Sequence, residues 1–258
     1  MEKDFSSLGI SEELISALKK QGVTKPTDVQ QAAIGIILEK KDAIVRAETG
    51  SGKTLTYLLP IFMNIDLSLR SAQCIVLTPT HELAVQVYKQ AELLAENSGM
   101  DIRSALIIGN AGIEKKKIPA HTVKTIVVDE ADRMLDHMNV DMVKSVVKTT
   151  LKNSRQTVFL SASMNAEAVA AAKEIAVNEP VFCMAEEKLP ELITHYYIEC
   201  ELRDKINLIR KIVRGEKAPK TIVFINNPEN IEVTVKKLNY HSLKAVGLYG
   251  GTRRDERR

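Results

Sequence analysis

A glycine-rich segment at residues 47–54 (AETGSGKT) has the composition of a loop that binds phosphate groups. Gly50 and Gly52 allow the backbone to curl so that several N–H groups point to one spot, and a helix beginning there adds positive potential. Lys53 can reach the β and γ phosphates of a nucleotide, and the Thr54 hydroxyl can bind Mg²⁺. The segment begins with alanine where the usual pattern has glycine. A strand before it and a helix after it would mark it as a P-loop rather than an ordinary turn.

Two acidic residues, Asp129 and Glu130, follow an apolar run that ends at Val128. An aspartate at the end of a buried strand near a P-loop can hold Mg²⁺ through water, and a neighbouring glutamate can activate an attacking water molecule. Acidic residues in this position also commonly cap the next helix, and the segment alone does not separate the two roles. The P-loop favours the catalytic interpretation, in which Lys53, Asp129 and Glu130 act together.

Short β-branched runs alternate with helical patterns from residue 42 onward. These elements would position the P-loop and the two acidic residues. The predicted strands are Ala43–Arg46, Gln73–Thr78, Ile102–Ile108, Val123–Val128, Thr157–Leu160 and Val181–Met184. Apolar residues at spacings of three and four predict helices between several of them, as at 83–94 and 166–173. Continuously apolar strands separated by helices indicate βαβ units in a parallel sheet. The predicted fold class is therefore α/β, with helices on both faces of the sheet.

Two further helices are predicted ahead of the first strand. Ser11 precedes an apolar series at 14–18 that is followed by Gly22, and Thr27 precedes a second series at 29–37. Serine and threonine are favoured N-caps because their hydroxyl oxygens can accept hydrogen bonds from N–H groups of the first turn. Both residues are therefore expected to begin helices.

The pattern pauses at residues 185–190 (AEEKLP) and then resumes. Beyond the pause we predict strands at 193–200, 221–225 and 243–248, and helices at about 204–213 and 228–238. We therefore expect one domain at 1–187 and a partial second domain at 188–258. The first contains 21 basic and 24 acidic residues, and the second contains 15 basic and 9 acidic residues. The overall charge of +3 thus belongs to the second part, which weakly favours a polyanionic partner.

Composition excludes several other classes of protein. With 258 residues, 45% of them hydrophobic and 27% charged, the chain can form a sizeable core, which excludes a stapled peptide and wholesale disorder. Its longest apolar stretches are far shorter than the roughly 20 residues of a membrane-spanning helix. The first ten residues do not have the apolar region of a signal peptide. Three widely spaced cysteines offer no zinc or redox motif and are typical of the cytoplasm, where we expect this protein.

Residues 129–132 spell DEAD, the motif for which the DEAD-box RNA helicases are named, and other segments resemble that family in the same order. The family's Q motif is matched by Gly22, Pro26, Thr27 and Gln30. Phe5 stands where the family has an isolated aromatic residue. The amide of Gln30 can donate one hydrogen bond and accept another, which suits the N6 and N7 edge of adenine.

The resemblance implies a RecA-like fold for the first domain, part of a second RecA-like domain, and ATP and Mg²⁺ as cofactors. It implies that Lys53, Asp129 and Glu130 are catalytic and that Thr54 and Asp129 hold Mg²⁺, partly through water. The residues implied in nucleotide binding are Phe5, Lys25, Gln30, Glu48, Thr49, Gly50, Ser51, Gly52, Lys53 and Thr54.

The resemblance also implies RNA as the partner, bound through sugar and phosphate groups with little sequence preference. Pro79, Thr80 and His81 resemble the RNA-contacting PTREL element, and Gly109 begins a segment similar to the GG element. Histidine replaces the arginine of PTREL. Because an imidazole is mostly neutral at pH 7, a phosphate contact from His81 should be weaker and pH-sensitive.

Ser161 and Ser163 resemble the SAT element, which couples hydrolysis to closure of the two domains in this family. An ordinary strand-to-helix cap would also explain these serines. In the second domain, residues 222–227 resemble motif IV, and residues 249–257 resemble the HGxxxQxxR stretch. Tyr249 and Arg254 depart from the latter pattern.

Two differences from the family bear on activity. Only about ten residues join the GG-like segment to the strand before Asp129, where the family has a further strand and helix that carry its RNA-bending TPGR element. The chain also stops before the motifs that carry the arginine finger, which contributes about 10³ to 10⁵ in rate in related hydrolases. We therefore expect weak nucleotide binding by these 258 residues, with little or no ATP turnover or unwinding.

Two other functions remain open from the sequence. A related helicase or translocase acting on DNA would share the P-loop and the acids, although Gln30 with Phe5 favours the DEAD-box group. A non-catalytic RNA-binding scaffold would keep the same fold. The intact Lys53, Asp129 and Glu130 argue against a scaffold, whereas His81 and the missing TPGR segment leave room for one.

Overall fold

The computed structural model describes residues 4–48, 50–108, 120–151, 155–184, 193–216 and 218–249. The chain divides into two compact units, residues 1–188 and 189–258, which are described separately. In the described part of the chain, no helix combines the length and hydrophobicity that crossing a lipid bilayer would require.

The first unit is built around a parallel sheet. The described strands are β1 (Ala43–Arg46), β2 (Cys74–Leu77), β3 (Thr125–Asp129), β4 (Gln156–Ser161) and β5 (Val181–Met184). Their order across the sheet is β2-β3-β4-β1-β5, and every neighbouring pair is parallel. This arrangement confirms the predicted α/β class and five of the six strands predicted for this part of the chain.

Helices cover both faces of the sheet. They are α1 (Glu12–Lys20), α2 (Asp28–Leu38), α3 (Lys53–Asn64), α4 (His81–Ser98), α5 (Ala131–Met134), α6 (Val140–Lys148) and α7 (Ala166–Ile175). Successive strand residues point to opposite faces, so one core contains Val45, Val127 and Leu160 with helices α1 to α4. The other core contains Ile44, Val128 and Phe159 with helices α5 to α7. Burial on both faces explains why these strands are apolar throughout.

The predicted N-caps lie where the sequence places them. Ser11 and Thr27 have extended backbone and precede α1 and α2 directly. The Thr27 N–H donates to the Gln30 side-chain Oε1 at 2.9 Å, which satisfies one of the free donors at the start of α2. The beginnings of both helices are therefore confirmed.

The predicted strand at Ile102–Ile108 is wrong, because residues 101–108 have no regular secondary structure. Among the described residues, β2 lies at one edge of the sheet and pairs only with β3. A strand needs a neighbour that satisfies its backbone N–H and C=O groups. The apolar pattern at 102–108 predicts the tendency to form a strand, but it does not show whether a neighbouring strand is present.

The described part of the second unit contains two helices, α8 (Lys205–Gly215) and α9 (Glu229–Tyr240), with a 3₁₀ turn at Leu202–Asp204 before α8. These helices confirm the two predicted there. The strands predicted at 193–200, 221–225 and 243–248 are not formed in the described residues, and Phe224 is 90% exposed. Within the described part of this unit, only Thr234 and Leu238 are buried. Isolated apolar segments without paired neighbours do not make a stable sheet, which explains the wrong predictions.

Candidate functional site

The P-loop adopts the backbone that its glycines allow. Gly50 and Gly52 have φ angles of +86° and +91°, a region that residues with a Cβ rarely adopt. Helix α3 begins at Lys53, immediately after Gly52, and β1 ends at Arg46. The predicted order of strand, loop and helix is therefore present, with the positive end of α3 facing the loop.

Two polar side chains of the loop bond to the loop itself. The Ser51 hydroxyl donates to the carbonyl oxygen of Glu48 at 2.7 Å, and the Lys53 Nζ donates to that of Ala47 at 2.7 Å. Burial lowers the pKa of Lys53, while the negative charges of Asp129, Glu130 and Asp132 act against that shift. A partly desolvated ammonium that rests on a neutral carbonyl can exchange this bond for a stronger one to a phosphate oxygen.

Gln30 is tied to the P-loop. Its Nε2 donates to the carbonyl oxygen of Gly52 at 3.2 Å, and its Oε1 accepts from Thr27 as described above. Only 1% of Gln30 is exposed. Adenine reading by Gln30 stays a prediction, because both ends of the amide are engaged within the protein. The sequence did not reveal the link to Gly52, since residues 22 positions apart show no local pattern.

Phe5 and Lys25, the other two residues outside the P-loop that were predicted to bind the nucleotide, are placed differently. Phe5 is 2% exposed and packs in the core on the α1 to α4 side of the sheet, so its ring offers a ligand very little surface. Lys25 is exposed just before α2. Nucleotide contacts from these residues stay predictions.

Asp129 lies at the end of β3 and is 3% exposed. One carboxylate oxygen accepts from the Glu130 N–H at 2.9 Å, and the other accepts from the Tyr57 hydroxyl at 3.0 Å. Burial raises the pKa of Asp129, while these two hydrogen bonds and the charge of Lys53 act to lower it. Burial also raises the pKa of Tyr57 well above its ordinary value. The phenol therefore remains a proton donor to the carboxylate at neutral pH.

Glu130 occupies a strained backbone conformation, with φ 47° and ψ 53° in the left-handed region. This conformation is uncommon for residues other than glycine and is frequent at functional sites. Its carboxylate is partly exposed and lies 3.3 Å from the Arg133 guanidinium. This turn directs the Glu130 side chain away from the buried strand. The Glu130 carboxylate can therefore contact water, and it follows directly after Asp129, whose carboxylate can hold a cation.

Asp132 connects the DEAD segment to the predicted coupling element. The Ser163 hydroxyl donates to Asp132 at 2.7 Å, and the Ser163 N–H donates to the Ser161 hydroxyl at 3.2 Å. Hydrogen bonds from both serines act to lower the pKa of Asp132, and its net pKa is below the ordinary value although burial opposes the shift. Ser161 is fully buried, whereas Ser163 is exposed. A role in coupling stays a prediction.

Pro79 and Thr80 lie between the end of β2 and the start of α4, and His81 follows them directly. Thr80 is the N-cap of α4, and its hydroxyl accepts from the Leu83 N–H at 3.2 Å. His81 is the first residue of the helix. The N–H groups at a helix start attract anions, so this position can hold a phosphate. RNA binding by these three residues stays a prediction.

The sheet brings the P-loop, the DEAD acids and the serines to one edge. Parallel strands β3, β4 and β1 are neighbours, with Asp129 opposite Leu160 and Arg46 opposite Ser161. The Ala47 N–H donates to the carbonyl oxygen of Ser161 at 3.0 Å, which joins the P-loop to the end of β4. Ligand sites in parallel α/β sheets lie at this carboxyl edge. Tyr57, buried in α3, is the site residue that the sequence analysis missed.

Several predicted site residues and other segments identified from the sequence lie outside the described residues. They are Thr49 in the P-loop, Gly109 and the rest of the GG-like segment, the linker at 185–190, and Gly250, Gly251, Arg254 and Arg257. Tyr249 is described, and its hydroxyl donates to Glu232 of α9.

Sequence comparisons match this chain to helicases. The sequence model of the family described as "DEAD/DEAH box helicase" matches residues 27–118 and 109–172. The chain is 32% identical to the DEAD-box ATP-dependent RNA helicase CshC of Bacillus cereus over 95% of its own length. It is 31% identical to the ATP-dependent RNA helicase CshA of Limosilactobacillus reuteri over 98% and to the probable ATP-dependent RNA helicase YfmL of Bacillus subtilis over 92%. It spans 68%, 56% and 69%, respectively, of the lengths of these relatives.

Solved structures show the same fold. S. cerevisiae Dbp5 bound to RNA and ADP BeF3 matches with a TM-score of 0.77 and 23% identity, covering 99% of this chain and 71% of that one. A DEAD box protein from the hyperthermophile Methanococcus jannaschii matches with a TM-score of 0.67 and 23% identity, covering 100% of this chain and 76% of that one. At this level of identity the similarity shows the fold alone, and it confirms the predicted RecA-like architecture.

Proposed function

Because this chain belongs to the DEAD/DEAH box helicase family, we propose that it acts in an ATP-dependent RNA helicase that locally separates short RNA duplexes. One observation carries the proposal: the P-loop that follows β1 and the acidic residues at the end of β3 lie at the same edge of the sheet, on either side of β4. A cation that receives phosphate and an acidic cluster that receives a metal and water are thus combined in one place, as ATP hydrolysis requires.

Magnesium fits the available donors. The Thr54 hydroxyl and the Asp129 carboxylate are hard oxygen ligands, and a site with few protein ligands suits Mg²⁺, which keeps several waters and phosphate oxygens around it. When bound, Mg²⁺ would neutralise charge on the β and γ phosphates of ATP. Lys53 would bind the same phosphates, and Glu130 would accept a proton from the attacking water.

RNA would bind at the start of α4, where Thr80 and His81 can contact a phosphate. Ser163 would transmit the state of the DEAD segment through its hydrogen bond to Asp132. We assign residues 1–187 to the ATP-binding domain and residues 188–258 to part of the second helicase domain. A cytoplasmic location agrees with the free cysteines Cys74, Cys183 and Cys200.

We further propose that the segment carrying the RNA-bending TPGR element is absent between residues 112 and 123. The alignments with CshC and CshA run over 269 and 281 positions, which is more than the 258 residues of this chain. Both alignments therefore contain positions where the relative has a residue and this chain has none. The family model also matches in two pieces, 27–118 and 109–172. The absence of a strand at 102–108 agrees with the loss of its neighbour.

Hydrolysis should depend on Glu130. Single-turnover hydrolysis of labelled ATP, with protein in excess and single-stranded RNA present, detects even slow cleavage. Glu130→Gln is expected to lower the rate by about 100-fold or more, because the amide cannot accept the proton. Binding of ATP, measured by calorimetry, should change by less than about threefold, because Glu130 is not assigned a phosphate contact.

The alternatives are separated with a version of the protein that also carries a TPGR segment and the motifs with the arginine finger, because little or no unwinding is expected of these 258 residues alone. A matched pair of short RNA and DNA duplexes with single-stranded overhangs, tested with ATP, shows which nucleic acid is opened. Opening of DNA alone would support a DNA helicase or translocase. Equal ATP cleavage by wild type and Glu130→Gln would remove Glu130 from the mechanism. RNA binding without any ATP cleavage, by the version that carries the TPGR segment and the arginine finger, would support a scaffold.

Adenine selectivity should depend on Gln30. The amide can pair with adenine N6 and N7, whereas guanine presents two acceptors on that edge. Competition titrations are expected to show at least about tenfold preference for ATP over GTP in the wild type and loss of most of it in Gln30→Ala. Because Gln30 also bonds Gly52, both affinities will fall, and the ratio is the decisive quantity. An unchanged ratio would assign Gln30 to P-loop support alone.

A further inference from the structure

Tyr57 is a fully buried polar residue beside the proposed cation ligands. It lies on α3, three residues after Thr54, and this spacing places both side chains on one face of the helix. Its hydroxyl donates to Asp129 Oδ2 at 3.0 Å. The phenol therefore bonds one of the two residues that are assigned to Mg²⁺ and lies one helical turn from the other.

The Asp129 carboxylate is held at both oxygens. Oδ1 accepts from the Glu130 N–H at 2.9 Å, and Oδ2 accepts from Tyr57. A carboxylate held in this way cannot rotate freely, so its remaining lone pairs keep a fixed direction. Such supporting hydrogen bonds around metal ligands orient them before the metal arrives.

Core packing alone does not require the hydroxyl. A phenylalanine would fill the same space with its ring and would avoid burying a polar atom, which is costly when it lacks a partner. The hydroxyl is instead buried in a position from which it donates a hydrogen bond to Asp129. Its position therefore calls for an explanation beyond hydrophobic packing.

We propose that Tyr57 is a positioning residue of the cation site, whose hydroxyl holds Asp129 in the orientation that Mg²⁺ bound to a nucleotide requires. This inference rests on the proposed function and assigns it a residue that the motifs do not contain. Tyr57 is assigned no contact with phosphate or cation and acts through Asp129.

The test compares nucleotide binding with and without the metal. Binding of a fluorescent ADP to the 258-residue chain is titrated in EDTA and at increasing Mg²⁺ concentrations, for wild type and Tyr57→Phe. We expect similar affinities in EDTA. The Mg²⁺ concentration that gives half of the affinity gain should rise about tenfold or more in the variant, as is typical when a residue supporting a metal ligand is removed. A merely structural role of the hydroxyl would not produce this selective change.

Two further variants test whether the change in Mg²⁺ dependence is specific to the contact between Tyr57 and Asp129. Tyr88→Phe removes a phenol hydroxyl from α4, which contributes no proposed cation ligand, and its Mg²⁺ dependence should match the wild type. In an Asp129→Asn background, Tyr57→Phe should cause little additional change, because the residue through which it acts is already altered. Circular dichroism melting verifies that each variant is folded.

The outcomes separate the two proposals. If the wild type gains no ADP affinity from Mg²⁺, the proposed function fails and this inference fails with it. If the wild type gains affinity and Tyr57→Phe gains it at the same Mg²⁺ concentration, only the role of Tyr57 is overturned. A loss of affinity of equal size in EDTA and in Mg²⁺ would likewise reduce Tyr57 to a packing residue.

Discussion

Replacing Lys53 with methionine should raise the dissociation constant for ATP with Mg²⁺ by about 10- to 150-fold, which corresponds to a loss of roughly 1.5–3 kcal/mol for a hydrogen bond to a charged group. Methionine preserves most of the aliphatic stem and removes the ammonium. In the structure that ammonium rests on the Ala47 carbonyl oxygen at 2.7 Å, a bond that phosphate oxygens would replace. A charged acceptor binds an ammonium more strongly than a neutral one, so the lysine should contribute mainly when phosphate is present.

Isothermal titration calorimetry provides the measurement, and Lys41→Met provides the matched control. Lys41 carries the same charge but forms an exposed pair with Glu39 at 2.7 Å, with both side chains more than half exposed. Surface pairs of this kind contribute about 0–1 kcal/mol to stability, so the control removes one positive charge without touching the P-loop. Its affinity for ATP should remain within about twofold of the wild type. If Lys53→Met also bound ATP within threefold of the wild type, the assignment of the P-loop would be wrong.

The sequence predicted the parts of the site that depend on local order. The P-loop required only a strand before it and a helix after it, and Lys53 indeed begins α3. Asp129 was placed at the end of a buried strand by the apolar run before it, and β3 ends there. Since carboxyl ends of neighbouring parallel strands share one edge, local patterns were enough to bring Lys53 and Asp129 together.

Features that depend on distant partners could not be predicted. The hydroxyl of Tyr57 meets Asp129 across 72 positions of sequence, and the amide of Gln30 meets Gly52 across 22. In an apolar series such as 55–62, a tyrosine is indistinguishable from an ordinary core residue. The strands predicted at 102–108 and 221–225 failed for the same reason, because strand formation depends on a neighbour that the segment itself does not specify.

A second large effect is expected from Gly52→Ala, which should both destabilise the first unit and weaken nucleotide binding. The φ angle of +91° disfavours any residue with a Cβ, at a cost of about 1–2 kcal/mol. An added Cβ would also lie 2.6 Å from Nε2 of Gln30, a distance that forces the amide to move. Gln30 is buried and bonds both Thr27 and Gly52, and each lost bond costs about 0.5–1.5 kcal/mol. Together these terms give roughly 2–5 kcal/mol and a melting temperature lowered by about 4–20 °C.

Two other glycines separate backbone strain from the clash. Gly50 has nearly the same φ, +86°, yet its added Cβ would meet no atom of the described residues within 4 Å. Gly50→Ala should therefore show only the strain, with a smaller fall in melting temperature. Gly99, at φ +73° beyond the end of α4, is equally open within the described part of the chain. Gly99→Ala should cost similar stability while leaving the affinity for ATP unchanged.

The clash between Gly52→Ala and Gln30 predicts a specific non-additivity. Truncating Gln30 removes the amide that the new Cβ would strike, so Gly52→Ala should cost less in a Gln30→Ala background than in the wild type. Thermal melting of the wild type, the two single variants and the double variant measures this difference, which we expect to be about 1 kcal/mol or more. Additive losses would mean that Gln30 does not support the P-loop through Gly52. A clear coupling would establish that Gln30 and the phosphate-binding loop stabilise each other through Gly52. A contact between Gln30 and the adenine base would then change the stability of the loop that holds the phosphates.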